Sequence, residues 1–411
     1  MKVIQINATY SNGSTGTIVK DILAKCLENG IDCKVAYSLS SLPQNDINGF
    51  RIGNYFDRKL HAILSRINGM QGYFSLFSTY KLTKWLDLEN PDILHLHNLH
   101  SNYINMSVLL KWAAKKRVAV VITLHDCWFF TGGCFHYTSS GCNKWQFTCG
   151  ECPRKKKDYP SLLLDRSRTL LNDKKKWFEA IINLTIVGVS EWTANEAKKG
   201  IFKDRKCIYI YNGIDTRIFK PTTSTIRKKY GLSEAFVVLG PASKWLMGEN
   251  KILLSEFLQL GEDYKLVLYG FKGCKDKLPN NIITIGFSSN KEELAQLYSM
   301  ADVFVNCTHE DTFSMINTEA QACGTPVICY SNTGAKETVN TDFGCLVETD
   351  DVRGMISAIK ALKIRISCLD SNRKQYDKIM LSHWAEDNFN KDVNYNKYIN
   401  LYQSIKKENV G

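Results

Sequence analysis

Strand and helix alternate along this chain in two separate runs, and that repetition constrains its fold more than any other feature. In the first run, residues 2–6 form an apolar strand and residues 10–17 a Gly/Ser/Thr loop. Residues 18–29 follow as a helix in which Ile18, Val19, Ile22, Leu23, Cys26 and Leu27 recur at the 3.6-residue period. Gly30 closes that helix, as glycine commonly does at a C-terminus, and residues 33–37 are the next strand. A strand at 93–97, a helix around 104–116 and a strand at 118–124 continue the pattern. The second run begins after Asn212-Gly213-Ile214-Asp215 and the polar stretch 220–224. Its strands are expected at 236–239, 265–269, 282–285, 303–306 and 327–330. Each run predicts a parallel sheet covered by helices on both faces. Two such domains, 1–215 and 216–383, imply a cleft between them, and residues 384–411 read as a closing helix that returns to the N-terminal domain.

A chain of 411 residues is too long for one ordinary core, which agrees with two domains. Hydrophobic residues at 44% and charged residues at 23% place it among folded soluble proteins. No apolar run approaches the roughly 18 residues that cross a bilayer. The opening residues read as a core strand rather than a signal peptide, so a cytoplasmic location with reduced thiols is expected. The net charge of +12 favours anionic partners. Nucleic acid, an anionic membrane face and a nucleotide diphosphate all satisfy it.

The most informative segment is 308–335, THEDTFSMINTEAQACGTPVICYSNTGA. It leaves a strand, crosses a short polar loop and enters a helix near Ser314 that stops at Gly324. The free N–H groups at such a helix start favour an anion. Asp311 precedes the helix and Glu319 lies more than a turn inside it. Carboxylates so placed can bracket a polyol, one at a sugar and one at a ribose. On their own they are also readable as a helix-dipole partner and a solvated helix residue.

The segment resembles the signature of retaining glycosyltransferases of family 4, which have the GT-B fold. That pattern is an acidic residue, seven others and a glutamate, then A-x-A-x-G-x-P-V. Asp311, Glu319, Ala320, Ala322, Gly324, Pro326 and Val327 match its spacing, with aspartate in place of the usual first glutamate. The similarity covers nearly the whole chain and is greatest to the branch building colanic-acid-type, capsular and O-antigen polysaccharides. It implies that Glu319 binds the nucleotide ribose and Asp311 the donor sugar. It further implies that backbone N–H groups near Phe313, Ser314, Met315 and Ile316 meet sugar and phosphate. In Thr123-Leu124-His125-Asp126, the resemblance makes His125 a cleft residue touching the donor sugar. The loop carrying Gly13 and Gly16 matches the family's first-domain glycine loop, where backbone approaches a phosphate closely.

The phosphate grip departs from the family. An arginine and a lysine are usual in the first strand–helix loop of the second domain. Here Lys244 stands near the arginine position, and the register places Glu249 near the lysine. Lys251 takes over if the loop carries an insertion. Lysine lacks arginine's bidentate fork, so the exchange is not neutral. His95, His97 and His100 form an H-x-H-x-x-H run, read as hydrogen-bonded strand-end histidines rather than a metal site. Cys134, Cys142, Cys149 and Cys152 lie in an insertion, 127–160. A C-x-x-C pair with two further cysteines suggests a tetrahedral structural zinc, with paired or free thiols as the other reading. A related cysteine pattern recurs in the branch.

The expected activity is transfer of a sugar from a UDP- or GDP-linked donor to a growing, lipid-linked oligosaccharide. The resemblance implies retention of configuration and no cofactor for catalysis, and no D-x-D motif is present. In residues 55–86, Arg58, Lys59, Arg66, Lys81 and Lys84 are interleaved with Leu60, Ile63, Leu64, Tyr73, Phe74 and Phe77. That mixture suits an anionic membrane surface and a peripheral place on the inner face of the cell membrane. The alternatives are another GT-B sugar-nucleotide enzyme such as an epimerase or phosphorylase, a weakened binding module, or a basic nucleic-acid-binding protein. No recognition motif supports the last, and no nucleic-acid partner is expected.

Overall fold

A computed structural model describes residues 1–158, 161–273 and 278–408. Among these, thirteen strands form two parallel sheets. The first contains β1 (Lys2–Tyr10), β2 (Asp32–Ser40), β3 (Gly49–Arg51), β4 (Ile93–Leu96), β5 (Ala119–Leu124), β6 (Leu184–Gly188) and β7 (Lys206–Tyr209). The second contains β8 (Phe236–Pro241), β9 (Tyr264–Phe271), β10 (Ile282–Gly286), β11 (Val303–Asn306), β12 (Val327–Tyr330) and β13 (Cys345–Val347). Their orders are β3-β2-β1-β4-β5-β6-β7 and β10-β9-β8-β11-β12-β13. Both are Rossmann-like orders that reverse direction once, between β1 and β4 and between β8 and β11.

Each central strand is buried on both faces, as its unbroken Val/Ile/Leu content requires. Alternate residues supply different cores. Ile4, Ile6, Leu94, Leu96, Val120 and Ile122 face one, while Val3, Val35, Ile93 and Val121 face the other. The second sheet builds its own core around Val238, Leu266, Val303, Val305 and Ile328.

The chain divides into two compact units, Met1–Asn212 joined by the segment from Asp392 onward, and Gly213–Lys391. Helix Lys391–Glu408 contributes Tyr395, Tyr398, Ile399, Leu401, Tyr402 and Ile405 to the first unit's second core.

Besides β3, β6, β7 and β13, which apolar periodicity left unmarked, three elements differ most from their sequence-based outlines. β1 runs past residue 6 because Asn7, Thr9 and Tyr10 still pair with Tyr37, Leu39 and Ser40. The following helix begins at Gly13, so Gly13 and Gly16 lie in its first turn and not in a loop. Ser11 at φ 66° and Gly13 at φ 64° reverse the chain abruptly, and the Ser11 N–H reaches Gly16 O at 3.0 Å. A Cβ on Gly16 would sit 3.0 Å from Thr9 Oγ1 and 3.2 Å from Ser11 N, so a larger residue would have to push its neighbours aside. Finally, the helical stretch from Trp384 is broken at Asn390. There Ile214 pairs with the backbone on either side, accepting from Lys391 N–H at 3.0 Å and donating to Phe389 O at 2.8 Å.

Candidate functional site

In a doubly wound sheet the ligand crevice lies beyond the carboxyl ends of the strands, where the strand order reverses. In the second unit that point lies after β8 and β11. Asn306 ends β11, and its Nδ2 donates to Ser314 Oγ at 3.0 Å and Asn317 Oδ1 at 2.9 Å. These bonds seat the start of helix Met315–Ala322, with Ser314 as its N-cap residue. The backbone N–H groups of that first turn therefore open beyond the strand ends.

Asp311 stands in the loop before this helix. Its Oδ1 accepts from Phe313 N–H at 3.2 Å, and its own N–H donates to Thr333 Oγ1 at 3.2 Å. The Thr333 hydroxyl donates in turn to Asp311 O. Asp311 is thus fixed from two segments.

Glu319 is half-buried on the same helix, and Tyr298 Oη donates to its Oε2 at 3.0 Å. Burial pushes its carboxyl up to about 7, with the Tyr298 bond opposing the shift. A carboxyl held near neutrality takes up hydroxyl donors readily once ionised. Tyr298 lies 21 residues upstream, and nothing in the signature indicates it.

Lys244 lies in the short helix Ala242–Trp245 after β8. Asn250 Nδ2 donates to both Lys244 O (3.0 Å) and Cys307 O (3.1 Å), fastening this loop to the end of β11. Glu249, in the register of the usual family lysine, lies 3.2 Å from His309 Nδ1, and His309 Nε2 lies 2.7 Å from Asp350. Lys251 begins the next helix, Lys251–Phe257, and is exposed.

In the first unit, the N-terminus of helix Gly13–Glu28 follows β1, and His125 follows β5. His125 belongs to a hydrogen-bonded group of histidines. His97 Nδ1 lies 3.0 Å from His125 Nε2, and His97 Nε2 lies 3.1 Å from Gln5 Oε1. His95 is held between Tyr402 Oη (2.6 Å) and Thr123 Oγ1 (2.8 Å), and His100 pairs with Asp126 at 2.9 Å. The H-x-H-x-x-H run is thus engaged by neighbouring side chains. Burial lowers His125 to about 4, so the ring is neutral at physiological pH.

Cys134, Cys142, Cys149 and Cys152 line one small hollow with Tyr137 and Trp145, and none is in a disulfide. Among the described residues no group of three or more His, Cys, Asp or Glu is arranged to hold a metal ion. The insertion is anchored by Lys174, a fully buried cation whose Nζ donates to Trp128 O and to Thr131 O (3.1 Å). The same Nζ sits 3.6 Å from the centre of the Trp128 ring. Burial lowers its pKa to about 7.

Comparison with known proteins agrees with both halves. Residues 16–218 match the domain described as Glycosyltransferase Family 4, and residues 251–372 match that described as Glycosyl transferases group 1. WcaC of Escherichia coli (strain K12), whose name assigns it provisionally to colanic acid biosynthesis as a glycosyl transferase, is 24% identical over 376 residues. That alignment spans 88% of this chain and 90% of WcaC. N-acetyl-alpha-D-glucosaminyl L-malate synthase of Bacillus anthracis is 27% identical over 375 residues, 88% of this chain and 87% of that protein. Among solved structures, Anabaena HepE in complex with UDP superposes with a TM-score of 0.65 at 16% identity, over 98% of this chain and 100% of that one. At that identity the likeness speaks to the fold. Two Rossmann-like sheets, two matching domains and relatives aligned along nearly the whole length have one reading: the chain belongs to the family 4 glycosyltransferases and has their GT-B fold.

Proposed function

We propose that the enzyme moves a sugar from a nucleotide-sugar donor, UDP- or GDP-linked, to a growing lipid-linked intermediate of a surface polysaccharide, with retention of configuration. The observation that carries this reading is Glu319, seated by Tyr298 on the helix that starts at the second sheet's reversal point. Its carboxylate accepts from the ribose hydroxyls. Asp311 is assigned to the donor sugar, and the family resemblance gives His125 a sugar-contact role as well. The N–H groups of Phe313, Ser314, Met315 and Ile316 stabilise the leaving diphosphate together with Lys244 or Lys251, an electrostatic contribution that grows as charge develops. Glu249, in the register of the usual family lysine, pairs with His309 and supplies no cation. The family resemblance assigns Gly13 and Gly16 to close backbone approach to a phosphate. We assign no side chain as a covalent nucleophile and no metal to the chemistry. HepE was solved with UDP and with UDP-glucose, which supports a nucleotide-sugar donor here. The name of WcaC supports a polysaccharide product.

The acceptor reading extends to a membrane. Helices Tyr55–Asn68 and Leu76–Glu89 expose Phe56 (78%), Leu60, Ile63, Leu76 and Phe77 (69%). Lys59, Lys81 and Lys84 lie over the rings of Tyr55, Phe77 and Tyr80. Aromatic rings under lysines suit an anionic lipid surface on the cytoplasmic side. No helix among the described residues is long and apolar enough to cross a membrane.

Titration of UDP- and GDP-sugars against the full chain by calorimetry tests the donor site. One series is expected to bind, and Glu319→Ala to weaken it at least tenfold, about 1.4 kcal/mol. No binding by any sugar nucleotide, or an unchanged affinity in Glu319→Ala, would reject the reading.

A further inference from the structure

We infer that Gln5 and His97 are positioning residues that hold His125 as its Nε2–H tautomer, leaving the lone pair on Nδ1. This deepens the sugar-contact role proposed for His125 and takes its functional meaning from that reading. The tautomer itself follows from a chain of hydrogen bonds within the first unit.

The chain starts at a group that can act in one way only. Gln5 Nε2 lies 3.1 Å from Val19 O, and a carbonyl only accepts, so the amide nitrogen occupies that end. Turning the amide over would set two acceptors against each other in a site where Gln5 is completely buried. Gln5 Oε1 therefore faces His97 Nε2 at 3.1 Å, and because this oxygen only accepts, His97 Nε2 carries the hydrogen. His97 is itself fully buried, and burial with the nearby imidazoles of His95 and His125 keeps it neutral. A neutral imidazole has one hydrogen, so His97 Nδ1 is an acceptor. It lies 3.0 Å from His125 Nε2, which must donate.

The consequence is a chemical preference. With its hydrogen committed to His97, neutral His125 can only accept at Nδ1. Any group that meets Nδ1 has to be a donor, such as a sugar hydroxyl. A diphosphate oxygen, having no hydrogen to give, is disfavoured there. One amide on β1, ninety-two residues from its histidine partner, thereby sets what a strand-end histidine can recognise.

Side-chain 15N NMR of histidine-labelled full-length protein, without ligand, tests the tautomer. The wild type is expected to show His125 with Nε2 protonated and Nδ1 unprotonated. Gln5→Leu removes the acceptor that orients His97 and is expected to move His125 Nδ1 toward the protonated range. A protonated Nδ1 in the wild type overturns the inference, and so does an unchanged pattern in folded Gln5→Leu. Should Gln5→Leu not fold, the wild-type spectrum still decides. If the tautomer is found but His125→Ala leaves turnover unchanged, the role proposed for His125 fails while the positioning stands.

Discussion

At the scale of single residues, the pH behaviour of Glu319 offers the sharpest test. Its folded pKa, about 7, lies above the unfolded value near 4.5. The folded protein therefore holds more protons than the unfolded chain between those values, and Glu319's contribution to stability falls as pH rises through them. A nucleotide whose ribose donates to the carboxylate favours the ionised form. Affinity for UDP or GDP is accordingly expected to rise with pH and level off above 7, losing up to about tenfold for each unit below it. Calorimetry from pH 5 to pH 8 measures this, and a flat profile would deny Glu319 the ribose. Its spacing from Asp311 was legible in the sequence because both carboxylates belong to one loop–helix segment. Tyr298, Gln5 and Thr333 were not, because they join the site through contacts that only the folded topology creates.

At the scale of elements, apolar periodicity marked nine of the thirteen described strands and left β3, β6, β7 and β13 unmarked. It failed where backbone bonding outside the pattern decided the outcome. Gly13–Gly16 has poor helix propensity, yet the reversal closed by Ser11 and Gly16 winds it into a first turn. Asn390 carries no breaking signal, and Ile214 supplies the cause from far away in sequence.

Helix Tyr55–Asn68 opens on a capping box, with the Asn54 side chain accepting from Asp57 N–H and the Asp57 side chain from Asn54 N–H. Asn54→Ala is expected to cost about 1 kcal/mol. Hydrogen exchange should show the loss in that helix, and unchanged protection there would contradict it.

The cysteine insertion is likewise separable. We propose that its role is structural, and metal analysis of purified protein chooses between its two readings. About one zinc per chain, lost in Cys134→Ser, would assign a metal to the shared hollow, whereas absence of zinc with four titratable thiols would assign free cysteines.

At the scale of the whole molecule, the proposed membrane contact would use the +12 charge through the lysines that lie over Tyr55, Phe77 and Tyr80. The protein is expected to float with anionic vesicles and not with neutral ones. Each basic residue near such a surface contributes about 1 kcal/mol. Changing Arg58, Lys59 and Lys81 together to glutamate should therefore reduce binding by about a hundredfold or more. Equal flotation of both proteins, or of neither, would remove the membrane from the proposal.

The helix Lys391–Glu408 has a further consequence, one of timing during synthesis. Tyr398 and Tyr402 close hydrogen bonds to Thr123 and His95 in a unit that otherwise ends at Asn212. A ribosome releases residues 213–391 before that helix, so the second unit has its whole sequence available while the first still lacks one wall. The half of the enzyme translated first is completed last. A released chain ending at Lys391 is expected to leave residues 1–212 open to protease while 213–391 resists it.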